Sequence, residues 1–176
     1  NGSVYDYVYV EKENQWNSWQ STIKPLSLSD NAEFSDIFVP TTITCQLDYL
    51  LTALVTHRKP ILLVGDTGTG KSAFINRMLT TELPDDKWSG IQLSFSAKTS
   101  ANMTQAIVDG KLDKRRKGVY GPPPNTNAII FVDDVNMPEV EEYGAQPPIE
   151  LLRQFCCDSG WYDIHDKTFR SIVDTQ

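Results

Sequence analysis

The stretch Gly65-Asp66-Thr67-Gly68-Thr69-Gly70-Lys71-Ser72 constrains this chain more than any other. It follows a short unbroken apolar run, Ile61-Leu62-Leu63-Val64, itself preceded by Pro60, and it precedes residues at helical spacing, Ala73-Phe74-Ile75 with Met78, Leu79 and Leu83. Such a run reads as a strand buried on both faces of a parallel sheet. A strand, a glycine turn and a helix in that order aim successive backbone N–H groups and a helix N-terminus at one point, which makes an anion site. Glycines at 65, 68 and 70 let the backbone approach a phosphate without a Cβ in the way. In this pattern Lys71 is expected on the β and γ phosphates of a nucleoside triphosphate and Ser72 on a magnesium ion, with Gly65, Asp66, Thr67, Gly68, Thr69 and Gly70 forming the cradle. The competing interpretation is a glycine-rich turn with no ligand, and the agreement of motif, strand and helix weighs against it.

A second apolar run, Ala128-Ile129-Ile130-Phe131-Val132, ends in Asp133-Asp134. Two acids can be turn residues. Downstream of a phosphate loop they read instead as the other half of a nucleotide site, Asp133 holding the magnesium ion through its water shell and Asp134 orienting the attacking water. Between these halves lies a further strand, Ile91 to Phe95. Thr99 or Ser100 can cap the helix after it, whose expected apolar positions are Met103, Ile107 and Leu112. Beyond the acids, Pro147-Pro148 starts a helix over Ile149 to Cys156, since a missing N–H does no harm in the first turn. Trp161-Tyr162-Asp163 and Phe169 to Val173 read as a final hairpin.

Ahead of the loop, Val4 to Val10 alternates with its tyrosines on one side and reads as an extended strand, followed by Trp16 and Trp19. This aromatic weight is either a docking surface for a neighbouring domain or a strand packed on this one. Lys24 to Asp36, rich in Ser, Asp and Asn, reads as a linker, and Leu83-Pro84-Asp85-Asp86 as a helix stop. Thr41-Thr42 is an N-cap for a helix carrying Ile43, Leu47, Leu50, Leu51 and Leu54 on one face, expected to pack on the sheet. Val39 and Pro40, just before it, either line an adenine or form a plain loop.

The 176 residues are one domain's worth. A net charge of −7 argues against nucleic acid as the main partner, since phosphate backbones need uncompensated Lys and Arg. The run Lys114-Arg115-Arg116-Lys117 fits a solvated or intersubunit loop better than a nucleic-acid patch. No apolar stretch reaches the roughly 20 residues that span a bilayer, and the N-terminus is no signal peptide. The absent initiator Met suggests a piece of a longer protein. Three cysteines without zinc-like spacing, Cys45, Cys156 and Cys157, fit a reducing compartment.

Five blocks carry a family resemblance: the loop from Gly65 to Ser72; Phe95-Ser96-Ala97-Lys98-Thr99-Ser100-Ala101-Asn102; Lys111 to Gly118; Phe131-Val132-Asp133-Asp134-Val135-Asn136-Met137-Pro138; and Tyr143-Gly144-Ala145-Gln146-Pro147-Pro148-Ile149-Glu150-Leu151-Leu152-Arg153-Gln154. Together, from about Phe38 to Gln176, they resemble the AAA+ motor ring of a dynein heavy chain, and more narrowly its third ATPase module, on the axonemal side. The first block is shared by very many ATPases, whereas the last two are specific.

The resemblance implies an α/β, three-layer P-loop nucleotidase: an AAA+ large subdomain with a parallel sheet flanked by helices, cut before the sensor strand and the helical lid. Residues 1–37 become an inter-module linker or extended segment and 38–176 the large-subdomain fragment. It implies ATP/ADP and Mg2+ as cofactors, and as partners the neighbouring AAA+ modules, dynein complex subunits and, through a distant part of the protein, microtubules, with neither nucleic acid nor membrane. Cytoplasm, cytoskeleton and the axoneme of a cilium or flagellum are the implied locations. Two departures bear on activity. Asp134 stands where active modules have glutamate, and Asp66 where relatives often have proline, so a slow, regulatory ATPase is expected, weak or inactive as an isolated piece. The alternatives are a structural ring module holding nucleotide without turnover and an unrelated P-loop ATPase. A GTP switch would need an Asn-Lys-x-Asp element, which is absent.

Overall fold

A computed structural model describes residues 2–23, 25, 37–82 and 87–176. The described chain divides into two compact units, Asn1–Ile61 and Leu62–Gln176. The expected linker at 24–36, apart from Pro25, and the expected stop at 83–86 lie outside the described residues.

The first unit opens with a turn over Val4–Asp6, closed by Ser3 accepting from the Tyr5 N–H and Asp6 accepting from the Ser3 N–H. The expected strand therefore shortens to β1 (Tyr7–Val10), antiparallel to β2 (Gln15–Ser18). Val8 is buried while Tyr7 and Tyr9 face outward, and Tyr9 meets Trp16 across the strands at 5.5 Å between ring centroids. A single helical turn, α1 (Trp19–Thr22), sets Trp19 edge-on to Tyr49 of α2 (Thr42–Thr56). Thr41 caps α2 as expected, in a reciprocal pair with Thr44. Its buried residues are Leu51 and Val55, whereas Ile43 and Leu50 are exposed, so the inward face is narrower than the apolar spacing suggests.

The second unit is built on a parallel pair, β3 (Trp88–Ser94) and β6 (Asn127–Asp133), in register from Trp88 opposite Asn127 to Ser94 opposite Asp133. Alternation along β3 sends Ile91 and Leu93, continued by Phe95, into a core with Val108, Leu112, Phe155 and Trp161. That face is covered by α4 (Ala101–Asp109) and α5 (Pro147–Asp158). The opposite face meets α3 (Lys71–Arg77), because Gln92 donates its amide to Asn76 on that helix at 2.9 Å. α3 runs on into a wider turn, Met78–Glu82. The result is three layers, helix on sheet on helix, as a parallel sheet requires.

A smaller mixed sheet, in the order β4 (Asp113–Arg116), β5 (Val119–Gly121), β8 (Phe169–Ile172), β7 (Gly160–Tyr162), closes the side of this core. The basic run thus forms one arm of a hairpin, and the expected final hairpin is β7 with β8. At Gly160 a Cβ would stand 2.2 Å from the Arg170 carbonyl oxygen, so only glycine allows that close pairing. Trp161 is fully buried, its indole N–H donating to Asp109. Arg170 joins Asp109 at 2.8 Å, pairs with Asp163 and lies 4.9 Å from the centre of the Tyr120 ring.

Two expectations need correction. Residues 61–64 form no strand: Leu62 is 72% and Val64 84% exposed. A strand exists only where a ladder partner takes its N–H and C=O groups. The second edge of β6 is met instead by Asp174–Gln176, through Ala128 N–H to Asp174 O, Ile130 N–H to Gln176 O and a parallel bridge from Ala128 to Thr175. On α4, capped by Ser100, the inward face is turned by one residue from the expected one. Thr104, Gln105 and Val108 are buried while Met103 and Ile107 are exposed, because Gln105 reaches the Tyr162 carbonyl and Thr104 bonds back to Ser100.

The buried ionic cluster yields two stability predictions. Arg170→Met leaves Asp163 and Asp109 without their cation and should destabilise the fold by about 3 kcal/mol in urea melts. Burial, outweighing Trp161 and Arg170, raises the Asp109 carboxyl above its ordinary value. Its contribution to stability is then fully present below about pH 3.9, the unfolded value, and is lost as pH rises through the folded one. Asp109→Asn should remove that component from a pH series of urea melts.

Candidate nucleotide-binding site

The loop from Gly65 to Ser72 leads into α3 with Gly70 at its N-cap. Gly68 and Gly70 both adopt left-handed backbone, at φ +79° and +80°, which an L side chain adopts only under strain. No heavy atom lies within 4 Å of where a Cβ would stand on either, so the space above the loop is open. The Lys71 ammonium turns into the loop and donates to Gly65 O at 2.8 Å, Asp66 O at 2.6 Å and Thr69 Oγ1 at 3.2 Å. Thr69 in turn donates to the Asp66 carbonyl. One cation is thus held inside a ring of backbone whose own polar groups it satisfies.

The other half of the site arrives from 61 residues away. Ser72 Oγ donates to Asp133 Oδ1 at 2.9 Å, and the same oxygen accepts the Asp134 N–H at 3.0 Å. The β6 ladder fixes Asp133 at the carboxyl end of its strand, and Asp134, exposed, turns the chain with φ +53°. Ser72 and Asp133 are therefore brought together, with Lys71 and Asp134 next to them in the chain. Val39, exposed, and Pro40, half-buried, belong to the first unit, immediately ahead of α2.

The residues present fit a nucleotide with a magnesium ion. The loop offers a cation and an open glycine surface to phosphate. The Ser72 hydroxyl and the Asp133 carboxylate are the hard oxygen donors magnesium takes, one or two per site with phosphate and water supplying the rest. Among the described residues no group of three or more His, Cys, Asp or Glu forms an all-protein metal cage. A cleft of about 780 Å3 lies elsewhere in this unit, between Lys98 to Asn102, Glu139 to Glu142 and Pro147-Pro148.

Two supports of the site have little signature in the sequence pattern. Gln92 tethers Asn76 and with it α3, yet it occupies an ordinary alternating position of β3. Gln146 bonds the loop after the two acids; its placement directly before two helix-starting prolines is the one clue.

Three layers around a parallel pair, a glycine loop opening α3 and a strand-end acid bonded to the first hydroxyl of that helix define a P-loop nucleotidase, here the large subdomain of the AAA+ type. Residues 26–176 match the family described as the P-loop containing dynein motor region, and the chain belongs to that family. It is 45% identical to rat dynein axonemal heavy chain 12 over 99% of this chain and 6% of that protein. Against mouse dynein axonemal heavy chain 1 the identity is 50% over 93% of this chain and 4% of the relative, and against human dynein axonemal heavy chain 3 it is 44% over 98% and 4%. The chain thus spans about 4–6% of the length of these curated relatives.

Proposed function

We propose that this chain is the large-subdomain core of an ATP-binding, slowly hydrolysing module of an axonemal dynein heavy chain, third in its ring, with a regulatory role. The observation that supports the reading is the bond from Ser72 to Asp133, a hydroxyl and an acid of the kind a magnesium ion takes, at the end of the Lys71 loop. Lys71 takes the β and γ phosphates, with the backbone of Gly65 to Gly70 around them. Ser72 and Asp133 hold Mg2+, which when bound offsets phosphate charge. Asp134 orients the attacking water, and Val39 and Pro40 meet the adenine. The neighbouring modules of the same heavy chain are the immediate partners, dynein complex subunits and, through a distant part of the protein, microtubules the further ones. The setting is the cytoskeleton of a ciliary or flagellar axoneme.

Slow turnover follows from the acid. Aspartate is one methylene shorter than glutamate, so its carboxylate stands about 1–1.5 Å further from a water in line with the γ-phosphate. Misplacement of that size costs on the order of 100-fold where catalysis rests on positioning. A nucleotide state that outlasts the main motor's cycle suits a gate, since it can bias a two-state element.

Two measurements test this reading. Lys71→Ala should weaken Mg-ATP binding in calorimetry by about 1.5–3 kcal/mol, the size of a charge-assisted contact, and an unchanged affinity removes the phosphate role. Asp134→Glu in the intact ring, with the other sites blocked, should accelerate single-turnover hydrolysis about 100-fold. A native rate already equal to the main site's contradicts the slow gate.

A further inference from the structure

We propose that Gln146 is a positioning residue for Asp134, tying the acid-bearing loop to α5. This rests on the reading of Asp134 as the residue that orients water. Asp134 has left-handed backbone, which costs a non-glycine residue of order 1 kcal/mol and persists only where neighbours enforce it. Its N–H is held by Asp133 Oδ1, and its carbonyl accepts from the Met137 N–H at 3.0 Å. The second bond makes the conformation of Asp134 depend on where residues 136–138 lie. Those residues are fixed by Gln146, whose Nε2 donates to Pro138 O at 2.7 Å and, more weakly, to Asn136 O at 3.5 Å. Both partners are carbonyls, acceptors only, so the amide nitrogen must face them.

The position of Gln146 argues that this bond is not incidental. It is the N-cap residue of α5, where Ser, Thr, Asp or Asn normally bonds the first free N–H groups, yet its side chain makes no capping bond. Neither proline at the start of the helix has an N–H, which removes the N2 donor a cap would serve, and the next N–H, of Ile149, goes to the Gln146 backbone carbonyl at 3.0 Å. The glutamine is thereby free to reach back, across eight residues, to the loop after the acids. A cap position given up for a distant carbonyl breaks a local rule, and such breaks concentrate at functional sites. The same loop is also pinned by Glu139 N–H to Ala97 O, while Gln146 ties it by hydrogen bonds to the start of α5.

The test uses the intact heavy chain with its other nucleotide sites blocked. Gln146→Glu keeps the side-chain volume but sets an acceptor against two carbonyls; Gln146→Ala removes the group. Both should slow single-turnover ATP cleavage 10- to 100-fold while the ATP dissociation constant stays within twofold, because Lys71, Ser72 and Asp133 are untouched. Hydrogen exchange supplies the second readout: the Met137 amide should exchange at least tenfold faster in Gln146→Glu, with the Ile130 amide on β6 unchanged. In an Asp134→Ala background, Gln146→Glu should add no further slowing. If Asp134→Ala slows cleavage and the Gln146 variants do not, the positioning role is wrong and the reading of Asp134 stands. If Asp134→Ala has no effect, that reading fails and the positioning role falls with it. Loss of ATP affinity in step with the rate, or faster exchange at Ile130, would mark a general structural defect and overturn the proposal.

Discussion

The seven-pair parallel ladder from Trp88–Asn127 to Ser94–Asp133 is the constraint on which the second unit depends. A parallel pair must be covered on both faces, and the alternation along β3 decides by what: Ile91 and Leu93 call for the apolar faces of α4 and α5, while Gln92 receives α3. The same register fixes how far β6 extends, and so the height at which Asp133 leaves the sheet. The glycine loop comes within reach of that acid only because α3 is held against the other face. One ladder therefore sets the core and the meeting of two site halves 61 residues apart.

Much of this was legible in the sequence because the signals are local. Gly68 and Gly70 announce a backbone left bare for close approach, Thr41 and Ser100 announce caps, and Pro147-Pro148 announces a helix start; each is a consequence of one residue's own chemistry. The acids were legible for a different reason, since only their pairing with the phosphate loop raised them above turn residues. What stayed hidden is non-local. The inward face of α4 is chosen by Gln105 finding the Tyr162 carbonyl 57 residues away, which overrides the apolar Met103 and Ile107. The ion pairs of Arg170 join segments that no periodicity connects. The run at 61–64 has every local mark of a buried strand, but a strand is a property of a pair, and apolar character cannot supply the partner.

The polar interior of this unit concentrates where the small sheet abuts the core. Trp161 and Arg170 together occupy both oxygens of Asp109, and the second carboxylate, Asp163, also accepts the N–H groups of His165 and Asp166. Asp109, Asp163 and Arg170 each have more than one partner, the condition under which a buried polar network specifies one arrangement rather than weakening the core. It fixes the small sheet to α4 by directional contacts, where apolar packing alone would tolerate sliding.

The irregular run at 62–64 also gives the phosphate loop an asymmetric anchorage: a helix follows it, and no ladder precedes it among the described residues. Ordering one residue's backbone costs about 1–2 kcal/mol, so an anion that immobilises this loop spends part of its binding free energy on the segment leading into it. A strand paired with Leu62 to Val64 would cover that cost beforehand and tighten anion binding at the loop without touching the anion. By reciprocity an anion on the loop would strengthen such a pairing by the same factor.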